Sequence, residues 1–148
     1  MQKAYKYSIL YFLAFSLLLL VSAVLLFEEK IGFSYESVLA YYMGDEERFV
    51  TPKSGTGVLK IILPHIFAFG LFLMVILHFL IFTKVNKSKK IQLIIYLSFG
   101  TAFFELFTPF LIINGFEFFA YMKIVSFFSL FFLVIYVSWL LFQSVMYE

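Results

Sequence analysis

Four apolar runs divide this sequence, and each is long enough to cross a lipid bilayer. They extend from about Ser8 to Phe27, from Val58 to Phe82, from Ile91 to Ile113 and from Phe119 to Val145. A hydrocarbon core of ~30 Å needs ~20 consecutive apolar residues in helical form. Lipid offers no partner to backbone N–H and C=O groups, so a spanning segment must satisfy its own, and these runs are expected to be helices. Short links make successive helices antiparallel. The expected fold is all-α: an integral membrane antiparallel four-helix bundle, one domain over residues 1–148, with an outer loop that carries a short interfacial helix.

Composition narrows the function classes. The chain is 64% hydrophobic and 14% charged, whereas a soluble domain is nearer half apolar and a quarter charged. A net charge of +2 gives no electrostatic footprint for nucleic acid, and no nucleic-acid partner is expected. The absence of cysteine excludes disulfides, thiolate metal sites, iron–sulfur clusters and thioether-attached haem. No serine or threonine is joined to a histidine by a hydrolase motif. The expected partners are the bilayer and other membrane subunits, or a second copy of the chain.

Lysine placement sets the expected orientation. Lys3 and Lys6 precede the first run, and the link between the second and third runs carries Lys84, Lys87, Lys89 and Lys90. Both segments belong on the cytoplasmic side, which puts both termini in the cytoplasm and suits a bacterial inner membrane. The loop from Glu28 to Gly57, rich in Glu and Asp, then lies outside, as does the turn "NGFEF". Lys3, Lys6 and "VSA" at Val21 to Ala23 also fit a secretory signal. The apolar run continues past that point to Phe27, and it is read as a retained span.

Within the outer loop, "SYESVLAYYMG" reads as a short helix with Ser34 as N-cap and Gly44 as stop. Tyr35, Tyr41 and Tyr42 suit a membrane interface. "DEER" reads as a solvated turn, and "SGTG" lacks the spacing of a phosphate loop. Helices in lipid meet through small and weakly polar residues. The seams expected to face the bundle are Ser8, Tyr11, Phe15 and Ser22 in the first span; Ser98, Thr101, Glu105 and Thr108 in the third; and Ser126, Ser129, Tyr136 and Gln143 in the fourth.

Ionisable groups inside a span are costly and mark candidate sites. Four stand out: His65, His78, Glu105 and Lys123. By depth, His65, Glu105 and Lys123 share the outer level, and Glu105 is expected to be neutral or paired with His65 or Lys123. His78 lies near the inner end. Pro64 begins or kinks the helix at His65, and Pro109, four residues after Glu105, loosens the backbone hydrogen bonding around that carboxylate. His65 and His78 are 13 residues apart, roughly 20 Å along a helix and about 140° apart around it. Metal–nitrogen bonds of ~2 Å forbid a shared ion within one chain. The two imidazoles therefore serve separate levels, and the His65 level is expected to be the more functional because Glu105 and Lys123 can join it.

Two histidines about four turns apart on one membrane helix resemble the b-type cytochromes. That resemblance implies haem b in an electron-transfer assembly, with cofactor-binding candidates His65, His78, Met122 and Lys123. Met43 and Met146 are further candidates for the face opposite a histidine. Such cytochromes take two more histidines from a second helix, and this chain has none to give, so a second copy would have to supply them. A metal such as copper or zinc on His65, His78 and Glu105, a proton path, and a purely structural role stay open. So does the reading as a cofactor-free accessory subunit of a larger membrane complex. The stretch "YYMG…PKSGTGVL…PHIFAFG…H", from Tyr41 to His78, is also similar to a family of small four-span bacterial membrane proteins without an assigned activity. That likeness implies that the outer loop and second span form one unit.

Overall fold

The computed structural model describes residues 3–83 and 89–147. Its elements are α1 (Lys3–Lys30), α2 (Tyr35–Met43), α3 (Gly55–Phe79), a 3-10 turn (Leu80–Phe82), α4 (Lys89–Ile113) and α5 (Phe119–Tyr147). Of these, α1, α3, α4 and α5 are long and apolar enough to cross a membrane. The all-helical membrane bundle read from the sequence is the architecture observed. Lys84 and Lys87, which carry part of the orientation argument, lie outside the described residues.

The bundle has two apolar layers. The layer near the chain termini is built from Ile9 of α1, Leu73, Ile76 and Leu77 of α3, Ile91 and Ile94 of α4, and Val137, Leu141 and Val145 of α5. Phe12 of α1 bridges to α3, with ring centroids 5.8 Å from Phe72 and 5.3 Å from Phe79. At this end Lys6 Nζ donates to the Val145 carbonyl at 3.2 Å. A cation so placed satisfies a carbonyl that the end of α5 leaves open. It also holds the two ends of the chain at the same end of the bundle.

The opposite layer is organised by α2. Val38 and Tyr42 pack with Val58 and Ile62 of α3, Ile112 of α4 and Ala120 of α5. The capping signals read from the sequence hold. Ser34 Oγ accepts from the Ser37 N–H at 3.1 Å, and Ser37 Oγ accepts from the Ser34 N–H at 3.2 Å. Gly44 closes the helix at φ +87. A Cβ there would lie 2.8 Å from Pro52 Cδ and from the Val50 carbonyl, so this stop admits glycine alone. Tyr35 stacks on Tyr121 at 4.3 Å and donates to Glu117 at 3.3 Å, which fastens the start of α2 to α5 and the turn before it.

The seam expected on α1 is corrected. Ser8, Tyr11, Phe15 and Ser22 are exposed, and the helix instead turns Ile9, Ser16 and Phe27 inward. Ser8 Oγ donates to the Ala4 carbonyl at 3.0 Å, so it is satisfied within its own helix and can face outward. Ser16 makes the same bond, to the Phe12 carbonyl at 2.8 Å, and faces inward, so this bond does not decide which way a serine faces. The α4 seam holds, with Ser98, Glu105 and Thr108 buried and Thr101 half-buried. On α5, Ser126 is buried and Ser129 half-buried, whereas Tyr136 and Gln143 are exposed.

Candidate functional site

The polar centre of the bundle is an ion pair. Lys123 Nζ lies 2.5 Å from Glu105 Oε1, with both side chains less than one-tenth exposed. Lys123 Nζ also donates to the main-chain carbonyl of Glu105 at 3.0 Å. That carbonyl is available because residue 109, whose N–H would normally bond it, is proline. The loosened backbone expected from Pro109 is thus put to use by the lysine. Ser126 Oγ donates to the other carboxylate oxygen, Glu105 Oε2. Of the two partners named for Glu105 from the sequence, Lys123 takes it.

The spacing explains why these groups meet. Glu105 lies eight residues before the end of α4 and Lys123 four residues after the start of α5. Across a tight antiparallel turn, a long lysine side chain reaches down to the carboxylate. Ser126 is three residues beyond Lys123, on the same face of α5. Tyr42 closes the site from the outer-loop side. It is 2% exposed, and burial, then the negative charge of Glu105, then Tyr41 push its phenol above the ordinary range. The sequence reading placed Tyr42 among interfacial tyrosines, and the role of Ser126 as a carboxylate donor was not foreseen beyond its place in a seam.

The histidines are elsewhere. Both lie on the continuous helix α3 and both are exposed. His65 Nδ1 is 2.6 Å from the Ile61 carbonyl. A carbonyl only accepts, so Nδ1 is the donor in this bond. The ring also meets Phe69 edge-on at 5.8 Å. Residues 63–68 are exposed all round the helix, with the nearest buried α3 residues at Ile62 and Leu73. The outer level therefore brings Glu105 and Lys123 together without His65. Among the described residues, no three of His, Cys, Asp and Glu come close enough to hold a metal ion.

Met122 is half-buried and lines a lipid-facing groove between α4 and α5. The groove has a volume of about 340 Å³ and includes Tyr96, Gly100, Thr101, Ser126 and Ser129. Lys123 is committed to Glu105, and Met122 belongs to the α4–α5 face. The two histidines stand at separate levels of α3, so no single iron takes both from one copy.

A family model, Aq_1264_TM, described as a transmembrane helical domain, matches residues 32–148. The chain belongs to this family. No curated protein and no solved structure matched. The Aq_1264_TM match begins just after α1, so it contains α2, α3, α4 and α5, and with them the Glu105 cluster and both histidines. This boundary coincides with a difference in packing. Helix α1 touches the bundle through one narrow side, whereas α2 to α5 share the outer layer around Tyr42.

Proposed function

We propose that this Aq_1264_TM domain is a membrane-embedded accessory subunit that docks another membrane chain along the outward face of α3. The observation that carries this reading is the uncovered stripe Pro64, Phe67, Leu71, Met74 and His78. These residues recur at alternating steps of three and four, so they form one continuous face along the helix. The buried charges Glu105 and Lys123, by contrast, are already satisfied internally. A chain docked along this face would also take the exposed His78 ring out of lipid, where an ionisable side chain is costly. The test is single cysteines at Leu71 and Met74, compared with Leu93 on α4. In native membranes a lipid-soluble maleimide should label position 93 and spare 71 and 74, and all three should label in detergent. Equal labelling in the membrane would refute the docking face.

A second reading places haem b between α3 and a neighbouring chain, on the exposed side of α3 that carries His65. The orientation of His65, with Nδ1–H bound to a carbonyl and Nε2 directed away from it, is the arrangement that prepares an imidazole to ligate iron. The neighbouring chain, a second copy or another subunit, would have to give the opposite ligand. Bound haem would supply one-electron chemistry, and His65 and His78 would hold it at two levels. Protein extracted in mild detergent would then be red with a Soret band, and a colourless preparation that retains its partner would leave the docking reading alone.

A further inference from the structure

The most exposed large hydrophobic side chain among the described residues is Phe49, 95% exposed in the loop between α2 and α3. It is not on a slack segment. Asp45 and Val50 exchange both main-chain hydrogen bonds at 2.9 Å. Inside that bridge, Asp45 Oδ1 accepts from the N–H groups of Glu47 and Arg48 at 3.0 and 3.2 Å, and Arg48 Nε lies 3.3 Å from Asp45 Oδ2. The loop is tied to α2 by the Lys53 N–H, which donates to the Tyr42 carbonyl at 2.9 Å. Phe49 itself sits at φ +56, the only residue other than glycine with positive φ among those described. A bulky side chain rarely adopts that region, and the turn holds it there at a cost. A built turn that strains its own backbone to display an aromatic ring calls for something that takes the ring.

Depth says what that is. Tyr42 packs against Val58, in the first turn of α3, and Ile112, in the last turn of α4. The end of α2 therefore lies level with the ends of the spanning helices, where hydrocarbon gives way to headgroups. Phe49 is seven residues beyond Tyr42, in a loop anchored back to it. Met43 and Val50, each 36% exposed, flank the same turn. Glu46, Glu47 and Arg48 are exposed beside the ring, as suits a polar rim in a wet headgroup layer. We propose that the Asp45–Val50 turn is an interfacial anchor that seats Phe49 in the bilayer at the headgroup–acyl boundary. An aromatic ring there buries its face in acyl chains while the turn stays hydrated.

Phe49→Trp in a Trp139→Phe background makes the site the only tryptophan of the chain. The full chain is reconstituted in phosphatidylcholine vesicles brominated either high or deep on the acyl chain. The proposal expects blue-shifted emission that loses most of its intensity to the shallow bromines and less to the deep ones. Red emission that shallow bromines leave unchanged would overturn it, whether water or a soluble protein proves to be the neighbour. If the tryptophan variants do not fold, Phe49→Cys with a nitroxide label gives the same answer, because no other cysteine is present. Collisions with oxygen should exceed those with an aqueous nickel chelate, and the reverse order would refute the anchor.

Discussion

Lys123 fills the gap that Pro109 opens. The proline withholds an N–H from the Glu105 carbonyl, and Lys123 Nζ donates to that oxygen at 3.0 Å while it pairs with the Glu105 carboxylate at 2.5 Å. One cation thus satisfies both a side-chain charge and a main-chain acceptor in a region where water is scarce. Breaking a buried pair leaves an uncompensated charge at a cost of about 3–5 kcal/mol. Lys123→Met should therefore destabilise strongly, and more than Glu105→Gln, because it orphans the carbonyl as well as the carboxylate. The double variant Glu105→Gln with Lys123→Met should cost less than the two single effects added. Thermal or denaturant unfolding in one detergent checks all three, and strict additivity would mean that the pair is not coupled.

Tyr42 should make the fold sensitive to alkali. Burial, with the charge of Glu105 and then Tyr41 behind it, holds its phenol protonated above the ordinary value of 10.0. Beyond that pH the unfolded chain releases a proton that the folded chain keeps. Unfolding is then favoured as pH rises, by up to about 1.4 kcal/mol per unit for one such group. No such loss operates below the ordinary value, where both states are protonated. Tyr42→Phe should flatten this alkaline slope without changing stability trends near neutrality, and unfolding curves of both proteins from about pH 8 to about pH 11, below and above the ordinary value of 10.0, read it directly.

Removal of α1 should leave a folded unit. The Glu105–Lys123–Ser126 cluster and the layer around Tyr42 are made by α2 to α5 alone. What α1 adds is the inner-layer contact of Ile9 and the Phe12 rings, and Phe27 against Phe127 at 4.2 Å. Residues 32–148 in detergent should keep cooperative unfolding at a lower midpoint, with helix content reduced by no more than α1. Loss of the cooperative transition would place α1 inside the folding unit.

The sequence carried the fold because lipid allows so few solutions. Four long apolar runs must be helices, and Ser34 and Gly44 mark the ends of α2 by local chemistry that no distant contact overrides. The ion pair was partly legible for the same reason: a glutamate and a lysine inside spans demand partners. Orientation of α1 was not, because a serine can bond its own helix whether it faces out, as Ser8 does, or in, as Ser16 does. The depth of Tyr42 was hidden too. A tyrosine beside a membrane suits the interface by composition, and only the packing of α2 with Val58, Ile62, Ile112 and Ala120 decides that it is buried. The histidines showed the opposite limit. Their separation along α3 follows from residue count, but which way each ring faces depends on which helix covers α3, and six consecutive residues around His65 have no cover.

The lysine bias makes a direct statement about sidedness. Cysteines introduced at Ser54 and Lys89, one on each side of α3, should react with a membrane-impermeant maleimide from opposite faces. In intact cells position 54 should label and position 89 should not, until the membrane is opened. Labelling of both in intact cells would contradict the antiparallel arrangement, and the reverse pattern would invert the chain while it keeps the fold.

The two imidazoles can be separated by substitution. Neither is part of the apolar layers of the bundle, so His65→Ala and His78→Ala should each leave the unfolding midpoint within about 0.5 kcal/mol of the parent, the usual range for exposed positions. If the stripe through His78 docks a neighbour, His78→Ala should restore maleimide labelling at Leu71 or Met74 in native membranes as the neighbour detaches, whereas His65→Ala, about 140° away around α3, should not. His65→Ala should also remove any Soret absorbance at its level, whereas His78→Ala should remove a distinct signal, since ~1.5 Å per residue over the intervening helix keeps the levels apart. Variants that unfold the bundle would show that the imidazoles hold this chain together. Variants that keep the fold, the colour and the protection of α3 would remove both histidines from the function of the domain.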